Sequence, residues 1–203
     1  MDRFTFHNIP LLIDNKQWVN QYSGRENDVL RIGMFSRIHS DQPTVFSFYV
    51  IHELKRRLIP VEFYFFGRYY DASFYEYYTK IVHLLKITSE VKFMGHVIDI
   101  ANAIQDSKLN VGLMNAIDYF VGYSSIEIQS HGLPVVFFNV TESGYYNNDF
   151  PIVLNYVNDV CDKIENLWKS NEIKSFSDKT FLYSKQIFGV ENNMKNVLKV
   201  YSI

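Results

Sequence analysis

Only one cysteine, Cys161, occurs among the 203 residues. A lone thiol excludes an internal disulfide framework and any metal centre built from several thiolates, and it fits a reducing compartment. No apolar run is long enough to cross a bilayer, and the first eight residues, Met-Asp-Arg-Phe-Thr-Phe-His-Asn, lack the basic start and apolar core of a secretory signal. Charge of one sign is also missing: 20 Lys and Arg against 22 Asp and Glu leave a formal net charge of -2, which argues against a dedicated nucleic-acid binder. An anionic ligand must therefore be met by a local cluster. Repeats and low-complexity tracts are absent as well. These absences lead us to expect a cytoplasmic protein.

What the chain has in quantity is apolar and aromatic side chains, 47% and 17% of all residues. That is far from a disordered composition, and the length suits one sizeable domain. Residues 1–28 have no sustained period and read as a connecting segment. Residues 29–203 then alternate short apolar strands with helices. Strands are expected at 30–35, 60–66, 91–94, 109–114, 135–138 and 152–154. Helices are expected at 43–57, where Phe46, Tyr49, Val50 and Leu54 recur at helical spacing, at 72–85, ending near 105, at 158–168 and between 178 and 201. Strands that are apolar on both faces belong to a parallel sheet covered on each side. The expected fold is therefore α/β, a mostly parallel sheet of about six strands with helices on both faces.

Ligands of such sheets bind beyond the carboxyl ends of the strands. That rule collects residues 36–42, 67–71, 95–97 and 115–125, with Arg37, Arg68, His39 and His96 as cations and glycines for close backbone approach. A nucleotide diphosphate is the simplest ligand for these parts together. The stretch 118–138 organises them: a glycine-containing loop, a short helix with Ser124 or Ser125 as N-cap, Gly132 as its C-cap glycine, and a buried strand after Pro134. Backbone N–H groups at such a helix start favour phosphate. Glu127 is an acid near that positive end, and two readings of it stand: a capping box with Ser124, or a carboxylate that accepts from a ribose hydroxyl. His39, His96 and His131 match no metal-ligand spacing, and Ser124 and Ser125 lack a nucleophile elbow. Lys55-Arg56-Arg57 reads as a solvated helix end.

The order of these motifs resembles the C-terminal half of GT-B glycosyltransferases of the group 1 family, a large retaining family. Phe35-Ser36-Arg37-Ile38 stands where that family has a strand ending in Gly-Arg-Leu, Phe65-Phe66-Gly67 where it has a glycine turn, and Phe93-Met94-Gly95 where it has Phe-x-Gly. Tyr119-Phe120-Val121-Gly122 through Glu127 to Gly132-Leu133-Pro134-Val135 stands at its Glu-x-Phe-Gly-x-x-x-x-Glu segment with the following Gly-x-Pro-Val. The likeness covers nearly the whole chain.

The resemblance implies a single Rossmann-like domain that binds a UDP-sugar or GDP-sugar without a metal or other cofactor. Glu127 would accept from the ribose. Arg37, the position of Gln42, Gly122, Tyr123, Ser124 and Ser125 would hold diphosphate and sugar, and Gly67, Gly95, His96 and Val97 would form the base pocket and crevice. Two positions depart from the pattern. The first glutamate, which contacts the donor sugar in the family, is Tyr119 here, beside Asp118, and the loop lysine is Gln42. Loss of one charge-assisted phosphate contact weakens binding by roughly tenfold or more. The resemblance further implies a missing N-terminal acceptor-binding domain or partner chain, a role in cell-surface polysaccharide or glycoconjugate synthesis, no nucleic acid as partner, and an option of peripheral association with the inner face of the membrane. A non-catalytic nucleotide-binding or interaction module derived from such an enzyme and a fragment of a nucleotide-sugar epimerase of similar fold remain as alternatives.

Overall fold

The computed structural model describes residues 12–25, 28–38, 44–69, 72–116, 122–139 and 153–201. Six parallel strands form one sheet: β1 (Leu30–Phe35), β2 (Val61–Phe66), β3 (Val91–Gly95), β4 (Val111–Ala116), β5 (Val135–Asn139) and β6 (Val153–Leu154). Their order is β3-β2-β1-β4-β5-β6. Five of them are of ordinary length, and β6 is a two-residue edge, so the expected six-stranded sheet is in effect five strands and a short margin. The order reverses between β1 and β4, which opens a crevice at their carboxyl ends.

The helices are α1 (Val45–Arg56), α2 (Ala72–Leu84), α3 (Ile100–Asp106), α4 (Tyr123–Ser130), α5 (Val157–Lys169), α6 (Ile173–Phe188) and α7 (Val190–Tyr201). Strand alternation assigns them to faces. A Cβ on Gly112 of β4 would touch Ile128 of α4, whereas Asn115, three residues on, pairs with Phe138, whose ring meets Phe46 of α1. Helices α1 and α4 therefore lie on opposite faces. Beside α1 pack α2 and α5, and beside α4 pack α3 and α6. The core under α1 is aromatic, with Phe48 edge-on to Phe63, Tyr78 and Phe93. The buried stripe of α1 is Phe48, Val50, Ile51 and Leu54, while Phe46 and Tyr49 are exposed. Val50 and Leu54 of the expected face are therefore buried, and Phe46 and Tyr49 are not. The buried face is turned by about a quarter turn from the expected one, because Phe48 and Ile51 extend the apolar surface around the helix and spacing alone does not choose between them.

Two further differences stand out, the first with a local cause and the second with a long-range one. The single helix expected between 178 and 201 is two, α6 and α7, divided at Gly189, whose ψ of 133° leaves the helical region. Residues 12–25, read from sequence as connector, lie against the body of the domain. The Ile13 N–H donates to Phe188 O at 2.8 Å, and Ile13, Trp18, Ile126 and Phe188 form a second small core. Further on, the N–H groups of Val19 and Gln21 donate to Ser130 O and His131 O, carbonyls left over at the end of α4.

Helices α1 and α5 are joined by charge as well as by packing. Arg57, just past α1, reaches Glu53 at 2.8 Å, Asp162 at 2.5 Å and Glu165 at 2.9 Å. Beneath this cluster the Cys161 thiol is buried 3.6 Å from Val50 O, and loss of hydration pushes its pKa up to about 12. Hydrogen bonds from Arg56 and Arg57 lower the Glu53 carboxyl to about 2 from an ordinary 4.5. The folded state therefore binds that proton less readily than the unfolded chain does, and the gain is complete above about pH 4.5 and fades as pH falls toward 2. Urea unfolding of the wild type and Glu53→Gln should show the wild type losing more stability than the variant over that interval; parallel curves would mean that this cluster contributes nothing.

Candidate functional site

Three strand ends are locked together at the carboxyl edge of the sheet. The Ser36 N–H donates to Phe66 O at 3.0 Å and the Ile38 N–H to Arg68 O at 3.0 Å, so β1 and β2 stay paired past their formal ends, to a bridge between Ile38 and Tyr69. The Gly67 N–H donates to Gly95 O at 2.8 Å and adds the end of β3. Glycine is required at position 67, since a Cβ there would lie 1.7 Å from Ser36 O. At Gly95 the chain turns with φ of 76°. It then passes His96, Val97 and Ile98 to Asp99, whose carboxylate accepts from Asn102 N at 2.9 Å and caps α3.

The fourth wall is the start of α4. Its N-cap is Gly122, with φ of 73°, not Ser124 or Ser125 as expected from sequence. Ser125 is buried and donates its hydroxyl to Gly122 O at 2.8 Å, which shapes the loop from within. With Tyr123 as first helical residue, Glu127 is fifth, beyond the third position that a capping box needs. The capping reading of Glu127 therefore fails on geometry. At the far end α4 closes as the sequence leads one to expect: Gly132 has φ of 88°, and the N–H groups of Gly132 and Leu133 donate to Gln129 O and Ile128 O, a Schellman ending.

These walls enclose an open cavity of about 440 Å³. Its apolar side is Phe35 and Phe66, stacked with centroids 4.6 Å apart, together with Val97, Ile98 and Ile100. Its polar side is Ser36, Arg37, Gly67, Arg68, His96, Ser124 and Glu127. Glu127 is half-buried, and its carboxylate has no hydrogen bond or ion pair among the described residues; burial raises its pKa above the ordinary carboxylate value. An acceptor held there without a partner is suited to a ligand hydroxyl.

Of the residues singled out from sequence, Arg37, Gly67, Arg68, His96, Val97, Ser124 and Glu127 come together on this cavity. Gly95 stands behind it as the acceptor for Gly67, Gly122 sets the start of α4, and Ser125 is internal to the loop. Tyr123 is half-exposed at the first helical position and outside the lining. Asp118, Tyr119 and Gln42, as well as His39, lie outside the described residues. Sequence reasoning did not single out Ile98 and Ile100. Their signal is the pair of isoleucines around Asp99, a helix-capping aspartate after a strand-end glycine.

No protein-family model and no curated protein matches the chain. Solved structures do. A glycosyltransferase from Rickettsia africae superposes with TM-score 0.71 at 17% identity, over 87% of this chain and 48% of its own. The Anabaena protein Alr3699/HepE in complex with UDP-glucose gives 0.71 at 15%, over 95% and 56%. The C-terminal domain of a group 1 family glycosyl transferase, LpcC of Francisella tularensis, gives 0.60 at 14%, over 87% of this chain and 93% of that domain. The fold is that of the C-terminal, Rossmann-like half of GT-B enzymes. The chain spans about half the length of the first two proteins.

Two outcomes test this geometry. Gly67→Ala forces a backbone shift and should destabilise by about 3 kcal/mol or more, read as a lower urea midpoint; an unchanged midpoint would mean the strand ends are looser than described. At neutral pH a half-buried charged Glu127 opposes folding, so Glu127→Gln should melt higher than the wild type at pH 7.5. Because the folded pKa is raised, that difference should close as pH falls below 4.5, where the group is neutral in both states. A variant that melts lower than the wild type at pH 7.5 would show instead that the carboxylate is held by a bond of its own.

Proposed function

We propose that the chain is the donor-binding half of a retaining group 1 hexosyltransferase, taking a UDP-sugar or GDP-sugar. The observation that carries this reading is the Glu127 carboxylate, without a partner among the described residues, in the same cavity as Arg37 and the Ser124 end of α4. An acceptor for ribose hydroxyls, a guanidinium for diphosphate and a wall of Phe66, Val97 and Ile98 for a base are the three groups a sugar nucleotide needs. The Anabaena relative in fold, crystallised with UDP-glucose, supports the choice of ligand class.

In this reading the base lies against His96 and Val97, where the backbone after Gly95 turns away and leaves room. The ribose sits over Glu127. The diphosphate faces Arg37 and the N–H groups at the start of α4, where the helix dipole favours anions. Guanidinium and amide donors carry the phosphate charge, so no metal is invoked. Transfer to an acceptor needs a second surface that positions the acceptor hydroxyl and excludes water, and we assign that to an N-terminal domain or partner chain. The setting we assign is the cytoplasmic synthesis of a cell-surface polysaccharide or glycoconjugate. Among the described residues no helix is long and apolar enough to cross a membrane.

A non-catalytic nucleotide-binding module is the second reading, favoured by one feature: Tyr119 stands where the resembled family has its first glutamate. Titration calorimetry with UDP, GDP and their sugars separates the two readings from a chain that binds neither. We expect saturable binding of one nucleotide series, weakened roughly tenfold or more in Glu127→Ala, and no sugar transfer by the purified chain. Absence of binding at millimolar nucleotide would refute the site, and turnover by the chain alone would refute the half-enzyme.

A further inference from the structure

The cavity contains a cation that the reading above leaves unused. Arg68 follows Gly67 at the end of β2, and its backbone is fixed on both sides: its carbonyl accepts the Ile38 N–H at 3.0 Å, and its neighbour Tyr69 bridges Ile38. Its side chain is exposed, lines the cavity and has no hydrogen bond or ion pair among the described residues. Other arginines of the chain behave differently. Arg25, Arg31, Arg56 and Arg57 each hold a carboxylate, at 2.7, 2.9, 2.7 and 2.8 Å respectively. Arg68 is thus anchored at its backbone and, among the described residues, uncommitted at its guanidinium, on the wall next to Arg37.

Charge balance says what such a residue is for. A nucleoside diphosphate brings more than one negative charge into a cavity that already contains the Glu127 carboxylate, in a protein of net charge -2. The α4 amide donors carry only partial charge, so one arginine beside them leaves a full negative charge of that sum without a cation opposite it. Two guanidinium forks from adjacent strand ends offer paired donors to neighbouring phosphate groups.

We propose that Arg68 is a diphosphate-binding residue, and that it and Arg37 clamp the two phosphates from the ends of β2 and β1. The proposal rests on the donor-binding reading for its ligand, a nucleoside diphosphate. The anchor it assigns lies just past the end of β2 and does not depend on the loop that contains Gln42. It makes Arg68 blind to base and ribose: its contribution follows the phosphate groups alone and is sensitive to salt.

Titration calorimetry of the wild type, Arg68→Ala and Arg68→Lys with UDP, uridine and inorganic pyrophosphate tests this. Arg68→Ala should bind UDP about ten- to a hundredfold more weakly, with uridine unchanged, and Arg68→Lys should fall between, since lysine keeps the charge and loses the fork. Equal UDP affinity in the wild type and Arg68→Ala would overturn the proposal, as would an equal loss for uridine. Wild type that binds pyrophosphate but not UDP, with the pyrophosphate weakened in Arg68→Ala, would remove the nucleotide reading and keep the anion clamp. Wild type that binds neither would remove both. Because the Arg68 side chain is exposed, the melting temperatures of all three proteins should agree, and a fall in Arg68→Ala would reassign the residue to folding.

Discussion

Steric exclusion at one glycine governs the site. Between the Ser36 carbonyl and the chain at Gly67 there is space for a hydrogen atom and nothing larger, and that approach lets β1 and β2 go on pairing beyond the sheet proper. The same residue donates to Gly95 and so brings in β3. Arg37, Arg68 and His96 are on one cavity because three backbones have been brought to hydrogen-bonding distance where strands usually diverge into their loops. The arrangement is rigid for the same reason. It consists of peptide groups, with no long side chains whose ordering would oppose it entropically.

The fourth wall has a different logic. Helix α4 is short, only Tyr123–Ser130, and a helix of that length has little stability of its own. Both ends are settled from outside: Gly122 and Gly132 adopt positive φ, and residues 19–21 supply donors to its last carbonyls. The helix can then hold an acid in its second turn, half-buried and raised in pKa, at some expense to folding. Stability given up at a single carboxylate is a common mark of a site shaped for a ligand.

Much of this was legible in the sequence, and the reasons differ by element. Strands β1 to β5 read clearly because each is a short run dominated by apolar residues, and the crevice follows from their parallel order. Glu127, Arg37, His96 and Val97 could be placed on it since each lies within a few residues of a strand end or a helix start. The N-cap of α4 was misplaced because serine is the commoner cap, whereas here the required property is positive φ, which only Gly122 supplies without strain. The break at Gly189 was hidden by helical spacing that continues across it. The docking of residues 12–25 could not be read at all: Ile13, Trp18 and Asn20 find their partners, Phe188, Ile126 and Asp178, more than 100 positions away, and no local pattern encodes such contacts.

Cys161 gives the molecule a reporter of its own. The thiol lies between α1 and α5 under the Arg57 cluster, fully covered, and its pKa of about 12 leaves almost no thiolate at neutral pH. Ordinary alkylating reagents act on the thiolate and need access to it, so the native protein should be silent toward them. Labelling can proceed only when the α1–α5 face parts. With one cysteine in the whole chain, the rate of mass gain under such a reagent clocks the opening of this face against which the sheet is packed, with no dye or engineered residue needed.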